Sequence, residues 1–183
     1  MTFAPWRAAI GAPVIVENRG GARGSIGAAV AARAEPDGAT LWLGPVQTQV
    51  LNPLLMRNIT YDPLKDFVGI GTVAALPNVL VVNPTAVPAT SMAELVRLAR
   101  EQPGKLAYGS NGIGSLSHLT TEVIAKEAGV SFLHVPYQGA APQMTDLLSG
   151  RIGFTIVGPQ SVLPQIREGK LRALAVSTAT RFA

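Results

Sequence analysis

The chain of 183 residues contains no cysteine. Disulfides, thiolate nucleophiles and thiolate metal sites are therefore excluded. Its two histidines, His118 and His134, have no carboxylates beside them at ligand spacing, so no metal set is expected. Aromatic residues make up 5% of the chain, and no run of basic residues occurs. A nucleic-acid surface built on stacking rings is thereby argued against. Lys plus Arg number 15 against 11 Asp plus Glu, a net charge of +4, a mildly positive field that suits a small anionic ligand. The best apolar run, Val73 to Val82, is interrupted by Pro77 and Asn78, so no membrane-spanning helix is expected. The opening MTFAPWRAAIGAPVIVENRG lacks a basic leader followed by a sustained apolar core, so it does not read as a signal peptide. It reads as a helix tail over Trp6–Ile10, a stop at Gly11, and then a strand to Glu17.

What remains is a globular composition, 48% hydrophobic and 14% charged, with 19 glycines and 14 prolines to make turns. Apolar strand-like runs fall at Val14–Glu17, Thr40–Leu43, Val68–Ala74, Val79–Val82, Lys105–Tyr108, Phe132–Val135, Gly153–Val157 and Ala173–Val176. Most are continuous rather than alternating, the sign of strands covered on both faces. Helical spacing falls between them, at Ile26–Ala34, Thr48–Met56, Met92–Gln102, Leu116–Ala128, Ala141–Leu148 and Val162–Glu168. Ser91 and Glu94 form a capping box for the third, and Gly129 and Gly150 stand where helix C-terminal glycines belong. Alternating strands and helices predict an α/β architecture with mostly parallel sheets. Three prolines bracket the apolar strand in LPNVLVVNPTAVP, residues 76–88. This stretch is expected to cross between two lobes, a first over 1–80 and a second over 81–183.

Two glycine clusters invite a ligand. Gly21, Gly24 and Gly27 follow a strand-like run and open a helix. Their G-x-x-G-x-x-G spacing is not the dinucleotide fingerprint, and no acidic residue ends the next strand-like run. A tight turn with close packing is the simpler reading. The second cluster is YGSNGIGSLSHLTTE, residues 108–122. Ser115 is placed to cap the following helix. Gly112 and Gly114 would let backbone amides turn toward one point, beside Ser110 and Asn111. With the positive end of the helix, these make a carboxylate or phosphate cradle. Local sequence fits an ordinary capped turn equally well. Two further strand-to-helix turns, around HVPYQGAAP and VGPQS, should open at the same sheet edge, where α/β sheets bind ligands. Ser115 and His118 share a helix face, but no orienting carboxylate completes a catalytic set. An α/β hydrolase-like enzyme is thus the weaker alternative, and no catalytic residue is assigned.

Six stretches in fixed order carry a resemblance. They are PVIVENRGGARGSIGAAVAARAEPDGATLWLG, NPLLMRNITYDPLKDF, PNVLVVNP, GKLAYGSNGIGSLSHLTTE, HVPYQGAAPQMTDLLSGRI and LPQIREGKLRALAVST. From Pro13 to Thr178 the chain resembles the substrate-binding proteins of tripartite tricarboxylate transporters, the Bug family. The resemblance implies a type II periplasmic-binding-protein-like fold of two lobes. It implies a receptor that closes on a small carboxylate without catalysis, uses no cofactor, and delivers its ligand to membrane transporter subunits as a monomer. By position, the ligand residues would be Gln47 and Thr48 in the first lobe. In the second they would be Ser110, Asn111, Gly112, Gly114, Ser115, Tyr137, Gly139 and Ser161. Around Val157 and Gly158 the chain departs from the family's polar residues. Relative to the family the chain reads as truncated at both ends, with its first lobe incomplete. A remnant keeping only the second-lobe fold is the alternative. The resemblance implies a periplasmic location, whereas a chain with this start would stay in the cytoplasm.

Overall fold

The computed structural model describes residues 8–179. Two compact units divide the chain, residues 1–69 and 70–183. The division falls at Gly69/Ile70, upstream of the 76–88 segment.

The second unit is organised by five strands: β1 (Val79–Val82), β2 (Ala107–Ser110), β3 (Leu133–Pro136), β4 (Phe154–Val157) and β5 (Arg172–Val176). They form one sheet in the order β3-β2-β4-β1-β5. β2 pairs in parallel with both β3 and β4, whereas β1 runs antiparallel to β4 and β5. The α/β class holds, and the sheet is mixed rather than mostly parallel. β1 makes it so, because it runs antiparallel to both of its neighbours.

Four helices cover this sheet: α3 (Met92–Glu101), α4 (Leu116–Ala128), α5 (Ala140–Leu148) and the short α6 (Leu163–Arg167). The faces separate by the period of two along each strand. Leu80 and Val82 lie in one core with Leu95, Tyr108, Phe154 and Ile156, packed by Leu98 and Ile124 of α3 and α4. Val79 and Val81 lie in the other with Leu147, Ile152 and Val162, packed by Met144 and Ile166 of α5 and α6. Burial on both faces explains why the strand runs are apolar throughout. At one end of the sheet, the Asn78 N–H donates to Ser177 Oγ (2.8 Å), and the Ser177 N–H donates to the Asn78 carbonyl (2.9 Å).

The first unit holds α1 (Ser25–Ala32) and α2 (Asn52–Leu55). Its core gathers Ala28, Ala29 and Tyr61 with Trp42 and Phe67, whose rings sit 4.5 Å apart. The helix expected over Thr48–Met56 divides into a wide π turn, Gln47–Leu51, followed by α2. Pro53 accounts for this division. It has no N–H for the carbonyl five residues back, and the Tyr61 hydroxyl bonds that Thr48 carbonyl instead, at 2.6 Å.

Three expected strands, Val14–Glu17, Thr40–Leu43 and Val68–Ala74, are irregular chain. An apolar run becomes a strand only beside a partner that takes its N–H and C=O groups. No strand pairs among the described residues of the first unit, and Ile15, Leu43 and Val68 are exposed. In the helix tail expected at Trp6–Ile10, residues 8–10 are helical, and Trp6 and Arg7 lie outside the described residues.

Gly109 lies on the interior strand β2, opposite Val135 on one side and Thr155 on the other. A Cβ there would stand 2.5 Å from Ile152 Cδ1 and 3.0 Å from Gln143 Cγ. Both neighbours are buried and cannot yield into solvent. Gly109→Ala should therefore destabilise the second unit by about 1–3 kcal/mol, read as a lower urea midpoint with an unchanged slope.

Candidate functional site

Because β2, β3 and β4 run in parallel, their carboxyl ends at Ser110, Pro136 and Val157 share one edge of the sheet. Antiparallel β1 starts at that edge, with Val79 opposite Val157, and β5 ends there, with Val176 opposite Val79. Three short loops spring from it: 111–115 into α4, 137–139 into α5, and 158–161 toward α6. The convergence expected from sequence is present within this unit.

The first loop is built from the inside. Gly112 (φ 107°) and Gly114 (φ 75°) take up left-handed backbone that other residues resist. Ser115 is extended and caps α4, its Oγ accepting the His118 N–H at 3.3 Å. The sequence predicted that the loop's amides would converge on a ligand, but side chains within the loop take several of them up. Gly112 N–H donates to Ser110 Oγ (3.2 Å), and Asn111 N–H to Ser117 Oγ (3.4 Å). Gly114 N–H donates to His118 Nδ1 (3.0 Å), and Ser115 N–H to the Gly112 carbonyl (3.1 Å). Helix geometry leaves the N–H groups of Leu116 and Ser117, in the first turn of α4, without intrahelical acceptors. Those N–H groups lie at the positive end of the helix, an arrangement that can take an anion.

Ser110 is fully buried. Its Oγ lies 2.6 Å from His134 Nε2, and its carbonyl accepts the Tyr137 N–H at 2.9 Å. Asn111 is exposed, and Gly112 and Ser115 are half-buried at the surface of the loop. Tyr137 therefore joins the first loop directly, and its hydroxyl donates to Asp146 Oδ2 at 2.8 Å. Burial first, and then Asp146, pushes that hydroxyl up to about 12. In turn the Tyr137 hydroxyl, followed by Arg151, holds the Asp146 carboxyl below its ordinary value. Gly139 stands at the N-terminus of α5 with φ 116°, and exposed Ser161 ends the turn after β4.

In the first unit, Gln47 and Thr48 sit together on the π turn. The Thr48 hydroxyl is buried and donates to the Pro45 carbonyl at 2.8 Å. Gln47 Nε2 donates to Asn52 Oδ1 at 3.0 Å. Fully buried Asn52 in turn donates to the Arg23 carbonyl (3.1 Å) and Ser25 Oγ (2.8 Å). The glycine cluster serves this packing: a Cβ on Gly24 would stand 2.7 Å from Thr48 Cγ2. Close approach, rather than nucleotide binding, explains Gly24.

Four residues beneath the second-unit loop were not assigned to the site from sequence. His134 stacks on His118, with ring centroids 4.1 Å apart, and on Tyr108, at 4.9 Å. Tyr108 donates to Glu122 Oε1 at 2.7 Å. His134 lies sixteen residues from His118, so no local spacing could reveal the pair. Parallel register, which sets Tyr108 opposite His134, was the available signal. Ser115 and His118 do not form a nucleophile–base pair: Ser115 Oγ meets the His118 backbone, while the His118 ring nitrogen Nδ1 is engaged by Gly114. No group of histidine and carboxylate side chains that could hold a metal occurs among the described residues.

Two measurements follow from these contacts. Ser115→Ala should cost about 1 kcal/mol of stability through loss of the cap, whereas Ser115→Asp should keep it. Asp146, depressed in the folded state, contributes stability that is present above its unfolded value near 3.9 and is lost as pH falls through the lower folded value. Tyr137→Phe should therefore shift the midpoint of acid unfolding upward.

The chain matches the model of the "Tripartite tricarboxylate transporter family receptor" over residues 5–183. It is 38% identical to Protein BugT of Bordetella pertussis over 173 residues, which cover 94% of this chain and 53% of that protein. Among solved structures it is similar to one described as a periplasmic transporter. The identity is 41% and the TM-score 0.82, over 96% of this chain and 59% of the other. It is also similar to R. palustris Rpa4515 with adipate, at 37% identity and a TM-score of 0.84, over 97% and 59%. The chain spans about half the length of the curated relatives it matches. With the match running through both units, the chain belongs to the tripartite tricarboxylate transporter receptor family.

Proposed function

We propose that the chain acts as the substrate-binding component of a tripartite tricarboxylate-type transporter and takes a small carboxylate without catalysing a reaction. The observation that carries this reading is the single sheet edge from which three loops and the N-terminus of α4 emerge. The first-turn amides of Leu116 and Ser117 offer hydrogen bonds and partial positive charge without a fixed cation. A carboxylate held in this way keeps its charge and is released without breaking an ion pair. The adipate bound by the relative Rpa4515 is a ligand of this class.

In this reading Asn111, Gly112, Ser115, Tyr137, Gly139 and Ser161 line the second-lobe side, while Ser110 and Gly114 hold the loop's shape. Gln47 and Thr48 serve the first-lobe side, with the two lobes over 1–80 and 81–183 and the crossover near 76–88. The partners are the membrane subunits of the transporter, the site of action is the periplasm, and the receptor works as a monomer.

Isothermal titration with adipate, malate, citrate and glutamate tests the proposal. Saturable one-to-one binding of at least one carboxylate is expected, weakened by added salt only modestly because no ion pair holds the ligand. Absence of heat with the whole panel, from a sample that melts cooperatively, would sink it.

A further inference from the structure

Two of the bonds that fasten the loop over 110–115 end on imidazoles, one near each end of the loop. At its start, Ser110 Oγ lies 2.6 Å from His134 Nε2. Near its end, the Gly114 N–H donates to His118 Nδ1 at 3.0 Å. The two rings stack at 4.1 Å with their planes 24° apart. His134 stacks also on Tyr108, whose hydroxyl reaches Glu122, one turn beyond His118 on α4. The circuit His118–His134–Tyr108–Glu122 thus closes on α4 and spans β2 and β3. We propose that His118 and His134 are the positioning residues of the ligand loop: as a stacked pair they hold its two ends, and they do so only while His118 Nδ1 carries no proton. The inference rests on the reading of this loop as the ligand site.

The protonation condition follows from hydrogen-bond roles. An imidazole nitrogen that accepts an N–H cannot itself bear a proton. Protonating Nδ1 sets two donors face to face at the Gly114 contact and breaks that bond, which loosens the end of the loop while Ser115 still caps α4. A charge on either ring also opposes a charge on the other across the stack. Burial first, and then His118, holds His134 below its ordinary value, against the opposing pull of Glu122. Tyr108 and Glu122 are the other titratable groups at the pair. Burial, followed by Glu122, pushes the Tyr108 hydroxyl well above its ordinary range, so it remains neutral throughout. The loop's amides at Gly112 and Gly114 turn inward and not toward a ligand, so its shape is set before a ligand arrives. Fixing a binding loop in advance reduces the ordering cost of binding.

Space-filling alone would be served equally by a phenylalanine, and the test exploits that difference. The ligand-free chain is followed by 15N NMR from about pH 8 to about pH 5, across the ordinary range of histidine, and adipate is titrated calorimetrically at both ends. Wild type is compared with His118→Phe, which keeps a stacking ring without an acceptor. His118→Asn places an amide oxygen near the Nδ1 position. His134→Gln keeps a group able to bond Ser110 Oγ. The Gly114 amide should shift with the same midpoint as the His118 ring. His118→Phe should abolish that shift and weaken adipate about tenfold at pH 8. His118→Asn should restore most of the affinity and be insensitive to pH at Gly114. His134→Gln should bind better than His134→Phe. A Gly114 amide that ignores the titration of His118 overturns the proposal, as does a His118→Phe chain that binds like wild type, or wild-type binding that strengthens in acid. Failure of wild type to bind adipate at all would count against the ligand reading. The Gly114 titration would still decide the role of the imidazoles.

Discussion

The second unit depends on the parallel pairing of β2 with both of its neighbours. β2 is four residues long, and three of its positions have separate tasks. Tyr108, fully buried, joins Phe154, Phe132 and His134 beneath α4. Gly109 has no side chain, which lets Ile152 and Gln143 close on the opposite face. Thr155 of β4 bonds the Gly109 carbonyl through its hydroxyl at 2.9 Å. Ser110 ends the strand and begins the loop. Shifting this register by one residue would send Tyr108 to the wrong face and turn Ser110 away from His134. The site is thus specified by a sheet pairing rather than by the loop's own sequence.

Much of this was legible in the sequence wherever the determining contacts are local. The limits of α4 coincide with the predicted Leu116–Ala128, because Ser115 caps one end and Gly129, at φ 62°, ends the other. Ser91 caps α3 as expected through the Glu94 N–H. The return half of that box is displaced by one residue: Glu94 accepts from the backbone and hydroxyl of Thr90, which holds the carboxyl below its ordinary value. Strand existence was a weaker inference. The five runs that found partners became strands; the other three, two in the first unit and Val68–Ala74 across the boundary at Gly69/Ile70, did not. Composition states what a run can do; a partner across the ladder decides what it does.

The loop shows the same distinction at finer scale. Its glycines and serines were visible, as was the helix they introduce. Their partners were not, because acceptors such as His118 Nδ1 and Ser110 Oγ compete with a ligand for the same amides. A glycine-rich stretch before a helix therefore has two outcomes, donors turned outward or donors turned in. The choice lies with how the neighbouring side chains of Ser110, Ser117 and His118 are turned. The first unit makes the same choice. Buried Asn52 takes hold of the Arg23 carbonyl, and Ala22 and Arg23 sit at φ 46° and 55°, a region that residues with a Cβ seldom occupy. Such backbone persists only where neighbours over-determine it, and Asn52, Ser25 and Gln47 do so here.

The pair of hydrogen bonds between Asn78 and Ser177 has a mechanical meaning. The chain enters β1 and leaves β5 at the same end of an antiparallel pair, and that end is the edge that bears the loops. Tension between the segment before Asn78 and the segment after Ser177 would load these bonds one after another, in the manner of a zipper, and not all at once in shear. Peeling of this kind requires little force per step. It also begins at the edge where Val79 and Val157 face each other, so the first strain felt by the sheet is felt beside its loops.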